Sequence, residues 1–292
     1  MGDQVMTEEE FYLEDLKSKF LKINPEEYIL AYSGGRDSHF IYWFLKVWLK
    51  DNDYDMWMKY KTIKIVSSNT RMEHPQILRR MLDNSDVVLL PKMKPYEIKD
   101  KYGIPCFSKV QDEFIRRYHN GSRSDNTINY VLRKKETMFK LTKRASKLLI
   151  NNELHKIDNK CCDELKKKPM KKYSKLHNVK RILGTRSSES MIRKKTLKNG
   201  CFSSKDQFTP IHDLTEDLLK KIEIKYNIDI PDVYDSVQQT GCMGCPYGCN
   251  SKRCNTITEL SLLPKNKRNY IIEYFKESYD ILGIDYQQFD EE

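Results

Sequence analysis

No run in this sequence approaches the roughly 20 consecutive apolar residues of a membrane-spanning helix, so a helical membrane protein is excluded. The N-terminal stretch MGDQVMTEEE is acidic and lacks the apolar core of a signal peptide, and the expected location is the cytoplasm, with no membrane partner. Internal repeats and low-complexity linkers are missing too. That leaves 292 residues for one large or two modest domains with a proper core. Two common nucleotide loops are absent: no lysine follows the glycines as in GxxxxGK[ST], and there is no GxGxxG. What is in excess is positive charge, a net +10. Such a balance suits a polyanionic partner or substrate, although lysine is abundant throughout the chain, as a skewed genome composition alone produces. Eight cysteines in a chain expected in the cytosol point to metal or redox chemistry rather than structural disulfides.

The chain is organised around Tyr28 to Ser38, YILAYSGGRDS. Ile29, Leu30, Ala31 and Tyr32 form a short uncharged apolar run, which predicts a strand buried on both faces of a parallel sheet. Ser33, Gly34 and Gly35 follow, and adjacent glycines let the backbone turn sharply and expose main-chain N–H groups. Asp37 and Ser38 are helix-starting residues, and His39 to Leu49 is almost wholly apolar, as in a buried helix. Strand, glycine turn and helix N-terminus together make an anion site for phosphate or sulfate, because free N–H groups and the positive end of the helix dipole face the turn. The same pattern also describes a capped helix with no ligand.

Residues 7 to 22 predict a helix whose stripe is Phe11, Leu13, Leu16, Phe20 and Leu21. Thr62 to Ser67 and Asp86 to Leu90 predict further strands separated by helical segments. Alternation of this kind means α/β class, a doubly wound, mostly parallel sheet with ligands beyond the carboxyl ends of its strands. Ser33 and Asn69 are expected on that edge. From Phe114 to Lys160 the chain turns basic and helical, with Arg116, Arg117, Arg133, Lys134, Lys135, Lys140, Lys143, Arg144 and Lys147, and a loop at Gly121 to Asn126. This is either a phosphate-backbone grip or a solvated helix surface. Val179 to Leu183 returns to strand character and runs into GTRSSES, where Arg186 has the donor fork to hold a phosphate or sulfate, or to make a surface ion pair. Thr215 is expected to cap a helix from Glu216 to Tyr226, and another helix spans Lys265 to Leu282.

The cysteines permit two four-thiolate sites. Cys242, Cys245, Cys249 and Cys254 make a compact knuckle suited to zinc, and its short loops favour it on entropy. The other joins Cys161 and Cys162 to the CxxC at Cys242 and Cys245. Here a family resemblance enters. SGGRDS resembles the SGGxDS loop of the PP-loop ATP pyrophosphatases, the adenine nucleotide alpha hydrolase-like superfamily. NKCCDELKKKP followed by TGCMGCP is similar to the CC…CxxC signature of the iron–sulfur branch of the phosphoadenosine phosphosulfate (PAPS) and adenosine phosphosulfate (APS) reductases. In the same order, NTRMEHPQ resembles that family's DTGxxFPE, GTRSSES its GxRxxxS, and FTPIHDLTEDLLKKI with IPDVY its downstream aspartate and proline-tyrosine region. The likeness spans roughly Tyr28 to Cys249.

By that resemblance, Cys161, Cys162, Cys242 and Cys245 ligate a [4Fe–4S] cluster, with Lys166, Lys167 and Lys168 offsetting its negative charge. Ser33, Gly34, Gly35, Arg36, Asp37 and Ser38 hold the phosphate or sulfate end of ATP, APS or PAPS, Arg186 joins them, Mg²⁺ is a possible companion, and the adenine lies near Tyr32 and Asn69. The implied division is a PP-loop domain over 1–113 and 161–240, a basic helical insertion at 114–160, and a Cys-rich segment with the C-terminal helix at 241–292. One departure matters: the reductases carry a nucleophilic cysteine in a C-terminal tail, and GIDYQQFDEE has none. The expectation is therefore ATP-dependent adenylation followed by sulfur transfer to an acceptor, with nucleic acid as the candidate acceptor and a thiol or sulfur-donor protein as a further candidate partner. Two alternatives stand. One is sulfonucleotide reduction with Cys249 or Cys254 in place of the tail thiol. The other is a non-catalytic nucleic-acid-binding or regulatory protein. Catalytic candidates are Asp37, Arg186, Cys249 and Cys254; the oligomeric state is not indicated.

Overall fold

The computed structural model describes residues 6–134, 136, 140–202, 204–249 and 255–289. Cys254 and Lys135, both singled out above, lie outside the described residues. In chain order the principal elements are α1 (Glu8–Phe20), β1 (Tyr28–Ala31), α2 (Arg36–Trp43), β2 (Lys64–Ser68), α3 (Pro75–Asn84), β3 (Val87–Leu89), α4 (Lys109–His119), α5 (Asp125–Val131), α6 (Lys143–Ile150), α7 (Lys168–Leu176), β4 (Lys180–Ile182), β5 (Gln207–Phe208), α8 (Glu216–Lys225) and α9 (Lys265–Leu282). Among the described residues no helix is long and apolar enough to cross a membrane.

The chain gathers into two compact units, each built from separate stretches. The first takes Met1–Ser68, Gln76–Leu89 and Met170–Pro231; the second takes Asn69–Pro75, Leu90–Pro169 and Asp232–Glu292. The first unit holds a five-stranded sheet in the order β3-β2-β1-β4-β5, every pairing parallel. Alternate β1 residues serve different faces, as period 2 requires. Ile29 joins Val66 and Met170 in one cluster, while Leu30 joins Ile65, Ile182 and Phe208 with Leu13, Leu16 and Phe20 of α1 in another. Apolar cover on both faces is what a doubly wound α/β sheet needs. The chain adds β2 and β3 on one side of β1, then returns to place β4 on the other. The carboxyl ends of β1 and β4 therefore flank the point where strand order reverses, where such sheets open a crevice.

Local sequence accounts for most of these elements. Thr7 caps α1 in a capping box with Glu10. Leu13, Leu16 and Phe20 are fully buried, each worth roughly 1.5–3 kcal/mol. Phe11 and Leu21, expected in the same stripe, are 68% and 58% exposed. Phe11 precedes Leu13 by two residues, about 200° round the helix, so the pair cannot share a face. The apolar run after the glycine turn is helical as expected, starting at Arg36 and passing through a π-turn at Phe44–Trp48.

The second unit is helical. Phe114, Ile115, Val131, Ala145 and Leu149 form one core of α4, α5 and α6. Met243, Leu165, Ile271, Phe275 and Tyr279 form another around α9, which starts after Pro264. The stretch from Phe114 onward is broken into the short helices α4, α5 and α6. The chain turns at Gly121 (φ +83) and at Arg133 (φ 58), and α5 starts at Asp125, inside the segment read as loop.

Candidate functional site

In the first unit the turn after β1 is tied by its own serines. Ser33 N donates to Ser38 Oγ at 3.1 Å, the two hydroxyls are 3.0 Å apart, Gly35 N donates to Ser33 Oγ at 3.3 Å, and Ser38 Oγ donates to Gly35 O at 3.0 Å. The residue that must be glycine is Gly34. Its φ is +71, and a Cβ there would come within 2.7 Å of the Ile77 carbonyl oxygen. Gly35 has ordinary extended geometry as the N-cap of α2, and no side chain caps that helix. A first turn without a side-chain cap keeps amide donors for an incoming anion.

Beside it, two residues past the end of β4, a Cβ on Gly184 would lie 2.8 Å from the backbone of Asp37 and Ser38; glycine lets the chain leaving β4 rest on the first turn of α2. Two residues on, Arg186 is 4% exposed. Its Nε meets Asp37 Oδ1 at 2.7 Å and its Nη2 donates to Glu216 Oε2 at 2.8 Å. Nη1 has no hydrogen-bond partner among the described residues, and Asp37 Oδ1 accepts no aligned hydrogen bond. Arg36 donates from Nη1 to Glu216 Oε1 at 2.5 Å, and from Nε and Nη2 to the Glu223 carboxylate. Arg36, expected among the phosphate-holding residues, is thus bound to two carboxylates of α8. Burial pushes the Asp37 carboxyl up, against the pull of Arg186. Glu223 is raised by burial as well, while in Glu216 the hydrogen bond and charge of Arg186 and the charge of Arg36 outweigh burial and lower it. Two guanidinium groups face three carboxylates. The donors left at this turn are therefore the uncapped amides at the start of α2 and Arg186 Nη1, while Asp37 Oδ1 already faces Arg186 Nε. Tyr32 is 1% exposed with its hydroxyl 2.9 Å from His39 Nδ1, so its ring belongs to the core; Asn69 belongs to the second unit.

In the second unit the CC pair sits in the turn Lys160–Cys162, followed by a π-turn at Asp163–Lys167. The CxxC is shaped by its neighbours. Met243 N donates to Met72 O at 2.8 Å, Cys245 N to Cys242 O at 3.2 Å, and Gly244 N to Glu259 Oε2 at 3.0 Å, while Gly244 O accepts from the Tyr279 hydroxyl. Gly244 has φ +63, and a Cβ would come within 2.6 Å of Ile271 Cγ2 and Tyr279 Oη. Tyr247 donates to the buried Asp112 at 2.7 Å, which ties the segment to α4. Cys161, Cys162, Cys242 and Cys245 influence one another's ionisation. Cys161 is raised by its hydrogen bond to Cys162, then by burial and the charges of the other three. Cys162 is lowered by the same hydrogen bond, against burial, with help from Lys109, Lys166 and Lys167. Burial raises Cys242 and Cys245, and Lys166 partly relieves Cys242. Of the three lysines expected to offset negative charge, Lys166 answers to the thiols most, its pKa raised first by Cys242. Lys167 and Lys168 pair with Asp163 and Glu164.

A cubane binds one thiolate at each of four irons and does not require the sulfurs to converge on a point. Four soft thiols with a neighbouring ammonium fit such a group in donor chemistry. Among the described residues no set of three or more His, Cys, Asp or Glu side chains is placed to hold a single metal ion. Cys249 is half-buried after the Pro246–Gly248 turn. Of the basic residues expected to face an acceptor, Arg116 and Arg117 pair with Glu113, Lys140 with Glu136, and Arg133 donates to Leu141 O. Lys143, Arg144 and Lys147 stand exposed on α6. Glu216 and Glu223 were not foreseen, because a helix acid looks the same in sequence whether it faces water or an arginine. Gly184 and Gly244 were readable only as parts of motifs.

No family model and no curated protein sequence matches the chain. Among solved structures it is similar to the phosphoadenylyl-sulfate (PAPS) reductase from Candida auris, crystallised as a phosphate complex, at 13% identity and a TM-score of 0.36, over 80% of this chain and 94% of that one. A likeness this distant leaves the function to be argued from the residues.

Proposed function

We propose that this chain is a PAPS reductase-like PP-loop enzyme that binds the phosphate end of an adenine nucleotide at Ser33–Ser38 and Arg186 and works in sulfur chemistry. The observation that carries the reading is Arg186: a guanidinium nine-tenths buried, beside an uncapped helix start, with one donor left over. A buried unmet donor costs about 1–3 kcal/mol unless something takes it, and a phosphate or sulfate oxygen does. Cys161, Cys162, Cys242 and Cys245 would hold a [4Fe–4S] cluster, which supplies soft, thiol-compatible sulfur chemistry when bound. With ATP as substrate, an acceptor oxygen attacks the α-phosphate and pyrophosphate leaves. The turn's amides and Arg186 hold the departing charge, and Asp37 takes Mg²⁺ where it accompanies the nucleotide. Sulfur then replaces AMP on the acceptor. The exposed face of α6, with Lys143, Arg144 and Lys147, is the surface offered to an acidic acceptor such as nucleic acid.

Thermal unfolding with ATP, APS and PAPS tests this. A ligand at a hundred times its Kd should stabilise the protein by about 2.7 kcal/mol, and Arg186→Leu should remove the gain. Stabilisation by ATP with pyrophosphate release favours adenylation; stabilisation by APS or PAPS alone, with sulfite release, favours the reductase. No response to any of the three, together with steeply salt-dependent nucleic-acid binding, would replace this reading with the non-catalytic one.

A further inference from the structure

A cysteine outside both clusters has its own base. Cys201 lies in the turn Gly200–Phe202 leading to β5, half-buried, with Sγ 3.5 Å from His212 Nδ1. The backbone fixes the pair: Thr209 N and Oγ1 both donate to Cys201 O, at 2.9 and 3.0 Å, and His212 N donates to Thr209 O at 3.2 Å. The same His212 Nδ1 is 3.8 Å from Asp213 Oδ1, and Asp213 is held by Lys19 Nζ at 2.8 and 2.6 Å and by the Tyr12 hydroxyl at 3.2 Å. With the second ring nitrogen protonated, Nδ1 accepts the thiol proton, and the resulting imidazolium faces a carboxylate that is already oriented. That is the arrangement of an activated nucleophile. Burial raises the Cys201 thiol, against Lys19 and Lys22, so it ionises poorly without a proton acceptor at hand. The pair also adjoins the nucleotide turn, since Ser187 N donates to His212 O at 2.8 Å, next to Arg186 and its open Nη1.

We propose that Cys201 and His212 form a sulfur-accepting site, taking a sulfane sulfur from an anionic persulfide or polysulfide drawn by the exposed Lys22, while Lys19 stays paired with Asp15 and Asp213. His212 takes the Cys201 proton as Sγ attacks the outer sulfur of the donor. A new S–S bond forms, and the donor's own S–S bond breaks with its electron pair. The donor leaves as a thiolate and takes the proton from His212. Cys201 is oxidised to a persulfide as the donor's inner sulfur is reduced, so no further oxidant is needed. The inference rests on the reading that this chain moves sulfur, and names where sulfur first lands.

The test uses the full chain under anaerobic conditions without nucleotide. Sodium disulfide is added, thiols are trapped with iodoacetamide, and the Cys201 peptide is weighed; one extra sulfur on Cys201 is expected. Iodoacetamide labelling of the untreated wild type should level off well below the pH at which a thiol without a base does. His212→Gln should slow it on the order of a hundredfold. An unmodified Cys201, a labelling rate still climbing above about pH 9 as for a thiol without a base, or an unchanged rate in His212→Gln would overturn the proposal. The wild-type pH profile decides even where the variant folds poorly. Nucleotide stabilisation, measured apart, fails or survives independently of this thiol.

Discussion

The two clusters bring charge together in opposite ways. Around the glycine turn, opposite charges are already paired: Arg36 and Arg186 are gripped by Asp37, Glu216 and Glu223, and the atoms there without an aligned hydrogen bond, Asp37 Oδ1 and Arg186 Nε and Nη1, are buried. Around the CxxC, like groups are packed together, and burial penalises the thiolate in Cys242 and Cys245. The first site is organised before its ligand arrives. The second is held by apolar packing and backbone hydrogen bonds, and its thiols gain from ionising only when a cationic group compensates them. Ligand binding is therefore the measurement for one, and metal content for the other.

Removing one side of the matched set should have the largest effect. Arg186→Leu leaves Asp37 and Glu216 facing each other without their guanidinium, a loss of about 4 kcal/mol in urea unfolding; a loss below about 1 kcal/mol would mean that the pairs contribute little. Gly34→Ala should follow, at about 3 kcal/mol, because the positive φ and the overlap with the Ile77 carbonyl add. Gly35→Ala, with ordinary backbone geometry, should be mild, and equal costs for the two would contradict the assignment of the strained position. Gly244→Ala should cost about 2 kcal/mol, since two of its neighbours are side-chain tips that can shift. That variant should lower metal retention while nucleotide binding persists, and a reversed pattern would erase the contrast between the sites.

A further effect concerns pH. Asp112 is fully buried and its carboxyl is pushed up to about 6 by burial, against hydrogen bonds from Cys106 N, Phe107 N and Tyr247. A raised carboxyl favours the protonated fold: its contribution is fully present below the unfolded value near 3.9 and is lost as pH rises through about 6. The loss is about 3 kcal/mol. Asp112→Asn should remove this component, so the stability difference between wild type and variant should change across that window. A constant difference would show that Asp112 does not titrate there.

Much of the first unit was legible because it depends on local chemistry. The apolar run before Gly34 became β1 and Thr215 caps α8 through Leu218 N; in the second unit, likewise, α9 starts directly after Pro264. What was hidden depends on contacts between distant segments. Nothing local in GTRSSES shows that Arg186 shares Glu216 with Arg36, or that Gly184 must clear the backbone of Asp37. In the helical segment after Phe114 the loop at Gly121 was legible, while the break at Arg133 comes from a left-handed residue that composition does not mark. Cys201 and His212 stood apart in sequence and meet only through the turn around Thr209.

Iron and acid-labile sulfide in anaerobically purified protein test the account most directly. About four irons per chain, the content of a [4Fe–4S] cluster, falling to background in Cys161→Ala while ATP or APS still raises the melting temperature, is the predicted result. A colourless protein carrying zinc alone, unchanged by Cys161→Ala and lost with Cys249→Ser, would contradict it.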